Sequence, residues 1–306
     1  MTTPTERSGD AAAGSLAGHP ATRFDHAVAA EVVRRLRAAG CVFAEEEAAA
    51  LLSTAGTADA LADMLHQRVA GRPLEHVLGW VEFAGLRLSV VPGVFVPRRR
   101  TEYLVQRAVA RTGPGVTVVD LCCGSGAIGA AILSATSAAA GGSGPGWATV
   151  RHASPPRLVA ADIDPTAVAC ARTNVAGFGA SVYLGDLFEA LPGELRGRVD
   201  VLVANVPYVP TGEIRWLPPE ARLYEPRHAL DGGADGLDVL RRIAAGAPLW
   251  LTPPGTRPGG CLLIEASRAQ APIAADVMSG AGLAPEILES AELAATVVVG
   301  TYARRR

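Results

Sequence analysis

The sequence predicts an α/β protein: a doubly wound, mainly parallel sheet of seven strands, preceded by a small helical module. Three observations carry that expectation. Up to about residue 71 apolar residues recur at helical spacing, as in Val28, Val32, Val33 and Leu36. From residue 97 short apolar runs alternate with helical stretches, the pattern of βαβ units. The last two runs, Ala284–Leu288 and Thr296–Thr301, are too close for a crossover helix, so the final strand should run antiparallel.

Residues 1–22 are rich in Ala, Gly, Thr and Ser and lack an apolar core. They read as a disordered tail, neither signal peptide nor membrane anchor. The helical domain spans 23–75. Its first helix stops at Gly40, a second covers Glu45–Leu52, and a third covers Ala58–Val69. Thr57 caps the third and Gly71-Arg72-Pro73 ends it. Alternation in Val81-Glu82-Phe83 and Leu86–Val90 about Ala84-Gly85 predicts a β-hairpin linker, 76–96. In the remaining domain, 97–306, the earlier strands are Thr117–Leu121, Leu158–Asp162, Ser181–Leu184, Val199–Ala204 and Cys261–Glu265. Thr136 to Pro156 interrupts the rhythm with a low-complexity stretch, expected to be a solvated loop.

Composition removes several chemistries. All 28 basic residues are arginine, so Schiff-base and phosphate-loop lysines are excluded. A net charge of -2 gives no general attraction to nucleic acid. The five cysteines form no Cys-x-x-Cys pair and the six histidines are scattered, so no metal site is expected. The cysteine usage fits a reducing cytoplasm. No apolar run reaches the ~20 residues of a membrane helix.

The chemistry concentrates at strand ends. Asn205-Val206-Pro207-Tyr208 follows an apolar strand. The Asn205 carboxamide oxygen and the Val206 carbonyl can accept both hydrogens of a planar -NH2 group, Pro207 stiffens the turn, and Tyr208 offers a stacking face. The plainer reading is an Asn-initiated turn. Asp120-Leu121-Cys122-Cys123-Gly124-Ser125-Gly126 runs from a strand through a glycine loop into a helix, where unpaired N–H groups face a ligand. It lacks the Gly-x-Gly-x-x-Gly of a dinucleotide site. Asp162 ends the second strand, where nucleotide-binding sheets hold a ribose diol. Asp164 with Pro165 reads as a helix cap. Asp186, after the third strand, can receive an adenine amino group or be a solvated turn acid.

In order and spacing these motifs resemble the glutamine methyltransferases that modify translation release factors at a Gly-Gly-Gln loop. The resemblance runs from about Gly71 to the C-terminus. It takes in Val96-Pro97-Arg98 with Thr101-Glu102, the 120–126 loop, Asn205–Tyr208, Glu225–Leu230 and Gly232–Leu237. It implies a Rossmann-like class I methyltransferase sheet and S-adenosylmethionine bound by Asp120, Cys122, Gly124, Gly126, Asp162, Asp186 and Asn205. It also implies a catalytic Asn205–Tyr208 segment, a substrate-recognition role for the helical domain, and a cytoplasmic monomer acting on a protein. Two positions depart from the family pattern. Val206 stands where proline is usual, and Cys122 where the first loop glycine is usual. Three alternatives share these residues: glutamine methylation of a ribosomal protein, adenine methylation of nucleic acid, or a donor-binding paralogue without catalysis.

Overall fold

The computed structural model describes residues 24–136, 154–255 and 259–303. The expected tail and most of the expected insert lie outside the described residues. Contacts divide the chain into two compact units at Val69/Ala70.

The first unit is three helices: α1 (His26–Ala38), α2 (Ala44–Thr54) and α3 (Ala58–Val69). The Asp25 carboxylate caps α1 by accepting the Val28 N–H at 2.9 Å, and Thr57 caps α3 through the Ala60 N–H at 3.2 Å. Val32, Leu36, Leu51, Leu61 and Leu65 form the buried seam. The Arg68 guanidinium donates to Glu47 Oε2 at 2.6 Å and to Oε1 at 3.1 Å, a forked pair between α3 and α2.

The second unit opens with a short helix, α4 (Leu74–Leu78), which the sequence pattern did not suggest, and a hairpin of β1 (Trp80–Phe83) and β2 (Leu86–Ser89). After α5 (Glu102–Val109) come β3 (Thr117–Leu121), α6 (Ala127–Thr136), β4 (Arg157–Asp162), α7 (Pro165–Val175), β5 (Ser181–Leu184) and β6 (Val201–Ala204). Then follow α8 (Pro219–Tyr224), α9 (Asp238–Trp250), β7 (Cys261–Ala266), α10 (Ala271–Gly280), β8 (Leu283–Ser290) and β9 (Ala295–Tyr302).

The sheet order is β5-β4-β3-β6-β7-β9-β8. Strands β3 to β7 pair in parallel, and β9 inserts antiparallel between β7 and β8, as the short connection requires. Each strand alternates between two cores. Val118, Leu158, Val201 and Leu263 face α5–α7, whereas Val119, Val159, Leu202 and Leu262 face α9 and α10. The order reverses between β3 and β6. Loops leaving the carboxyl ends of those strands diverge there and open a crevice, the usual ligand position of such sheets.

Candidate active site

A cavity of about 510 Å³ occupies that crevice. It gathers residues from four strand ends: Cys122 after β3, Asp162 on β4, Asp186 after β5, and Asn205 to Tyr208 after β6. Gly124 also lines it. Asp120 and Gly126 stand behind the wall.

The loop after β3 is shaped by two contacts. The Gly124 N–H donates to Asp162 Oδ2 at 2.8 Å, tying β3 to β4. Asp162 Oδ1 accepts the Asp164 N–H at 2.9 Å, and Asp164 caps α7 through the Thr166 and Ala167 N–H groups. Burial pushes the Asp162 carboxyl above its ordinary value, while the Asp164 and Gly124 N–H groups oppose the shift. Each oxygen keeps a lone pair for a ligand hydroxyl. Gly124 has φ +54°, and the side where a Cβ would stand is open. These features fit a nucleoside with a flexible tail: backbone can approach it, α6 begins beside it, and a carboxylate faces it.

Behind the loop, Asp120 is fully buried. Its Oδ2 accepts the Gly129 N–H at 3.1 Å and its Oδ1 has no partner, so it braces β3 against α6. Burial raises its carboxyl from 3.8 to about 7. The unfolded chain therefore loses this proton near pH 4 and the folded chain near pH 7. Between those values folding stability falls as pH rises, by at most about 1.4 kcal/mol per unit from this group. Asp120→Asn should flatten that slope in urea titrations taken from pH 4 to 7.

Cys122 adopts φ +54°, a left-handed conformation that disfavours any residue with a Cβ. The resemblance places a glycine here, and the backbone retains a glycine's shape. Burial pushes the thiol upward, so it remains protonated. Cys122→Gly should relieve about 1 kcal/mol of backbone strain, partly offset by the flexibility glycine adds to the unfolded chain. Donor affinity, read by calorimetry, should be equal or tighter.

Across the cavity, the Asn205 Nδ2 donates to Thr101 Oγ1 at 3.4 Å. That contact turns Oδ1, which is buried and has no partner, away from the hydroxyl. The Tyr208 carbonyl accepts from Gln270 Nε2 at 2.9 Å. Gly232 and Gly236 press against the same segment. A Cβ at Gly232 would stand 2.7 Å from the Pro207 carbonyl oxygen, and one at Gly236 2.2 Å from that of Tyr208. The glycine motif is thus a buttress for the 205–208 turn.

Arg98-Arg99-Arg100 is a run of three arginines, a pattern that ordinarily makes a solvated, salt-bridged stretch. The salt bridges are present, but they lead inward. Arg98 pairs with Glu225 at 2.6 Å and Arg100 with Glu265 at 3.0 Å, both carboxylates being buried. Glu225 also accepts the Val96 N–H at 3.2 Å. Arg242 pairs with Asp186 at 2.7 Å, and His228 lies 3.2 Å from Asp164. Sequence reasoning missed Glu265, Gln270 and Arg242. Glu265 carried a usable signal, since it is an acid closing an apolar strand, as Asp120 and Asp162 are.

Fold and crevice together define a class I S-adenosylmethionine-dependent methyltransferase. The family described as RMKL-like, methyltransferase domain, matches residues 104–212. A release factor glutamine methyltransferase of Geobacter sulfurreducens is 37% identical over 221 residues, 72% of this chain and 69% of the relative. Another, from Cereibacter sphaeroides, is 35% identical over 274 residues, 82% of this chain and 88% of the relative. The chain belongs to the release factor glutamine methyltransferase family. Among solved structures, a methyltransferase from Pyrococcus furiosus aligns at a TM-score of 0.48 with 13% identity, covering 81% of this chain and all of that one. The assignment rests on the sequence relatives. No described helix is long and apolar enough to cross a membrane.

Proposed function

We propose that this enzyme methylates the side-chain amide nitrogen of a glutamine in the Gly-Gly-Gln loop of a translation release factor. The observation that carries the reading is Asn205, which lines the donor cavity beside Val206 and Tyr208 and whose Oδ1 is buried without a partner. An unmet buried acceptor costs about 1–3 kcal/mol, so it marks the place where a ligand donor completes the site.

Bound in the crevice, S-adenosylmethionine supplies an electrophilic methyl group. Gly124, Asp162 and Asp186 would hold it, Asp162 at the ribose diol and Asp186 near the adenine. Asn205 Oδ1 and the Val206 carbonyl take one amide hydrogen each, which fixes the nitrogen in the plane they define. Tyr208 covers the amide face. An amide nitrogen is weakly nucleophilic because its lone pair is delocalised. Two acceptors on its hydrogens raise its electron density and stabilise the N–H groups as they become acidic. The donor would supply its methyl to the nitrogen so held, leaving as the thioether, and the surplus amide proton would pass to water. Orientation supplies most of the effect, so no strong base is needed. Because the carbonyl is main-chain, Val206 serves as well as proline would.

The helical unit is assigned to recognition of the protein substrate, and the enzyme to a monomer working in the cytoplasm beside translation. Nucleic acid is disfavoured as substrate because Arg98 and Arg100 are committed to buried carboxylates. The test is mass spectrometry after incubation with donor and, in parallel, release factors, ribosomal proteins and adenine-containing DNA. A gain of one methyl on the Gly-Gly-Gln glutamine supports the proposal. Methylation of DNA or a ribosomal protein alone would overturn it.

A further inference from the structure

Tyr208 is held at two points. Its carbonyl is pinned by Gln270, so the backbone is already placed and the remaining freedom is rotation of the ring. That freedom is removed by Arg100, whose terminal nitrogen donates to the phenol oxygen and whose guanidinium carbon lies 5.8 Å from the ring centre. The same guanidinium donates through Nε to Glu265 Oε1 at 3.0 Å. Glu265 lies in β7 with its side chain 4% exposed, whereas Arg100 is 45% exposed and lines the cavity. One cation thus bridges a rigid strand and the aromatic wall of the acceptor site. A planar fork of donors can serve two acceptors at once, which an ammonium on a flexible stem does poorly. Burial is the largest influence on the Tyr208 phenol and raises it, with Glu265 acting in the same direction and Arg100 and Arg98 opposing. The phenol therefore stays neutral, an acceptor for the Arg100 N–H.

The geometry points to Arg100 as a positioning residue for methyl transfer, with Glu265 holding it, so that the Tyr208 ring plane is set before the acceptor arrives. This rests on the reading of Tyr208 as the cover of the acceptor amide. An ion pair serving only to join the segment before α5 to β7 would not need to reach the phenol.

A double-mutant cycle separates these roles. Arg100→Met should lower kcat about tenfold, the scale of one lost charge-assisted hydrogen bond, with S-adenosylmethionine affinity unchanged. Tyr208→Phe should lose the same factor, and the double variant should be no worse than either single one. Losses that multiply, or a fully active Tyr208→Phe, would overturn the inference. Glu265→Gln gives a second arm should Arg100→Met fail to fold. Its smaller loss of kcat should also vanish in the Tyr208→Phe background, and a loss that persists there counts against Glu265. Tyr208→Ala tests the underlying reading. If it keeps full activity, that reading falls; if it is inactive while the cycle is additive, only the positioning role falls.

Discussion

Asn205→Ala is expected to fold, bind S-adenosylmethionine at wild-type affinity, and transfer methyl about 10²–10³-fold more slowly. The size follows from what the side chain does at the reacting atom. Its Oδ1 is a buried acceptor without a partner, and Thr101 fixes its direction through Nδ2. Without it the acceptor nitrogen keeps one anchor, the Val206 carbonyl, and can swing about that single hydrogen bond. Misplacement of a reacting atom by about an ångström is enough for a hundredfold loss. Folding should survive because the truncation removes an orphaned polar atom and leaves the turn held by Gln270 and the glycine buttress. Single-turnover kinetics beside donor calorimetry check both halves. A parallel loss of donor affinity would mean that Asn205 belongs to the donor's side of the cavity.

The sheet was legible because its signals are local. An apolar run closed by Asp, Asn or Glu marks both a buried strand and its ligand-facing end, and this holds for Asp162 and Asn205 alike. Asp164 with Pro165 announced the start of α7 in the same way. What stayed hidden was long-range partnership. Arg100 and Glu265 are 165 positions apart, and Arg98 and Glu225 are 127. Nothing in either neighbourhood says that a run of arginines will meet buried acids instead of solvent. The short helices α4 and α8 were also missed, since five or six residues give too few repeats for a period to show. At Cys122 the sequence shows a cysteine where the family pattern has a glycine. The structure adds the backbone, left-handed at a residue that is not glycine, and a dihedral angle has no letter of its own.

Asp162→Ala is expected to weaken donor binding by about 1–3 kcal/mol, the usual loss for a charged hydrogen-bond acceptor. Two causes could produce that loss. The carboxylate can hold the ribose diol, and it also staples the donor loop through the Gly124 N–H at 2.8 Å and the Asp164 N–H at 2.9 Å. Calorimetry with S-adenosylhomocysteine and its 2′-deoxy analogue distinguishes them. If Asp162 holds the diol, the wild type prefers the ribose form and the variant loses that preference. If the residue only shapes the loop, both ligands weaken by the same factor and the preference persists. The pH dependence supplies a second check. Because burial raises the Asp162 carboxyl, donor affinity should fall as pH is lowered through that raised value, since a protonated carboxyl accepts hydrogen bonds poorly. In Asp162→Ala this fall should disappear, and a fall that remained would assign the pH dependence to another group, Asp120 first among them.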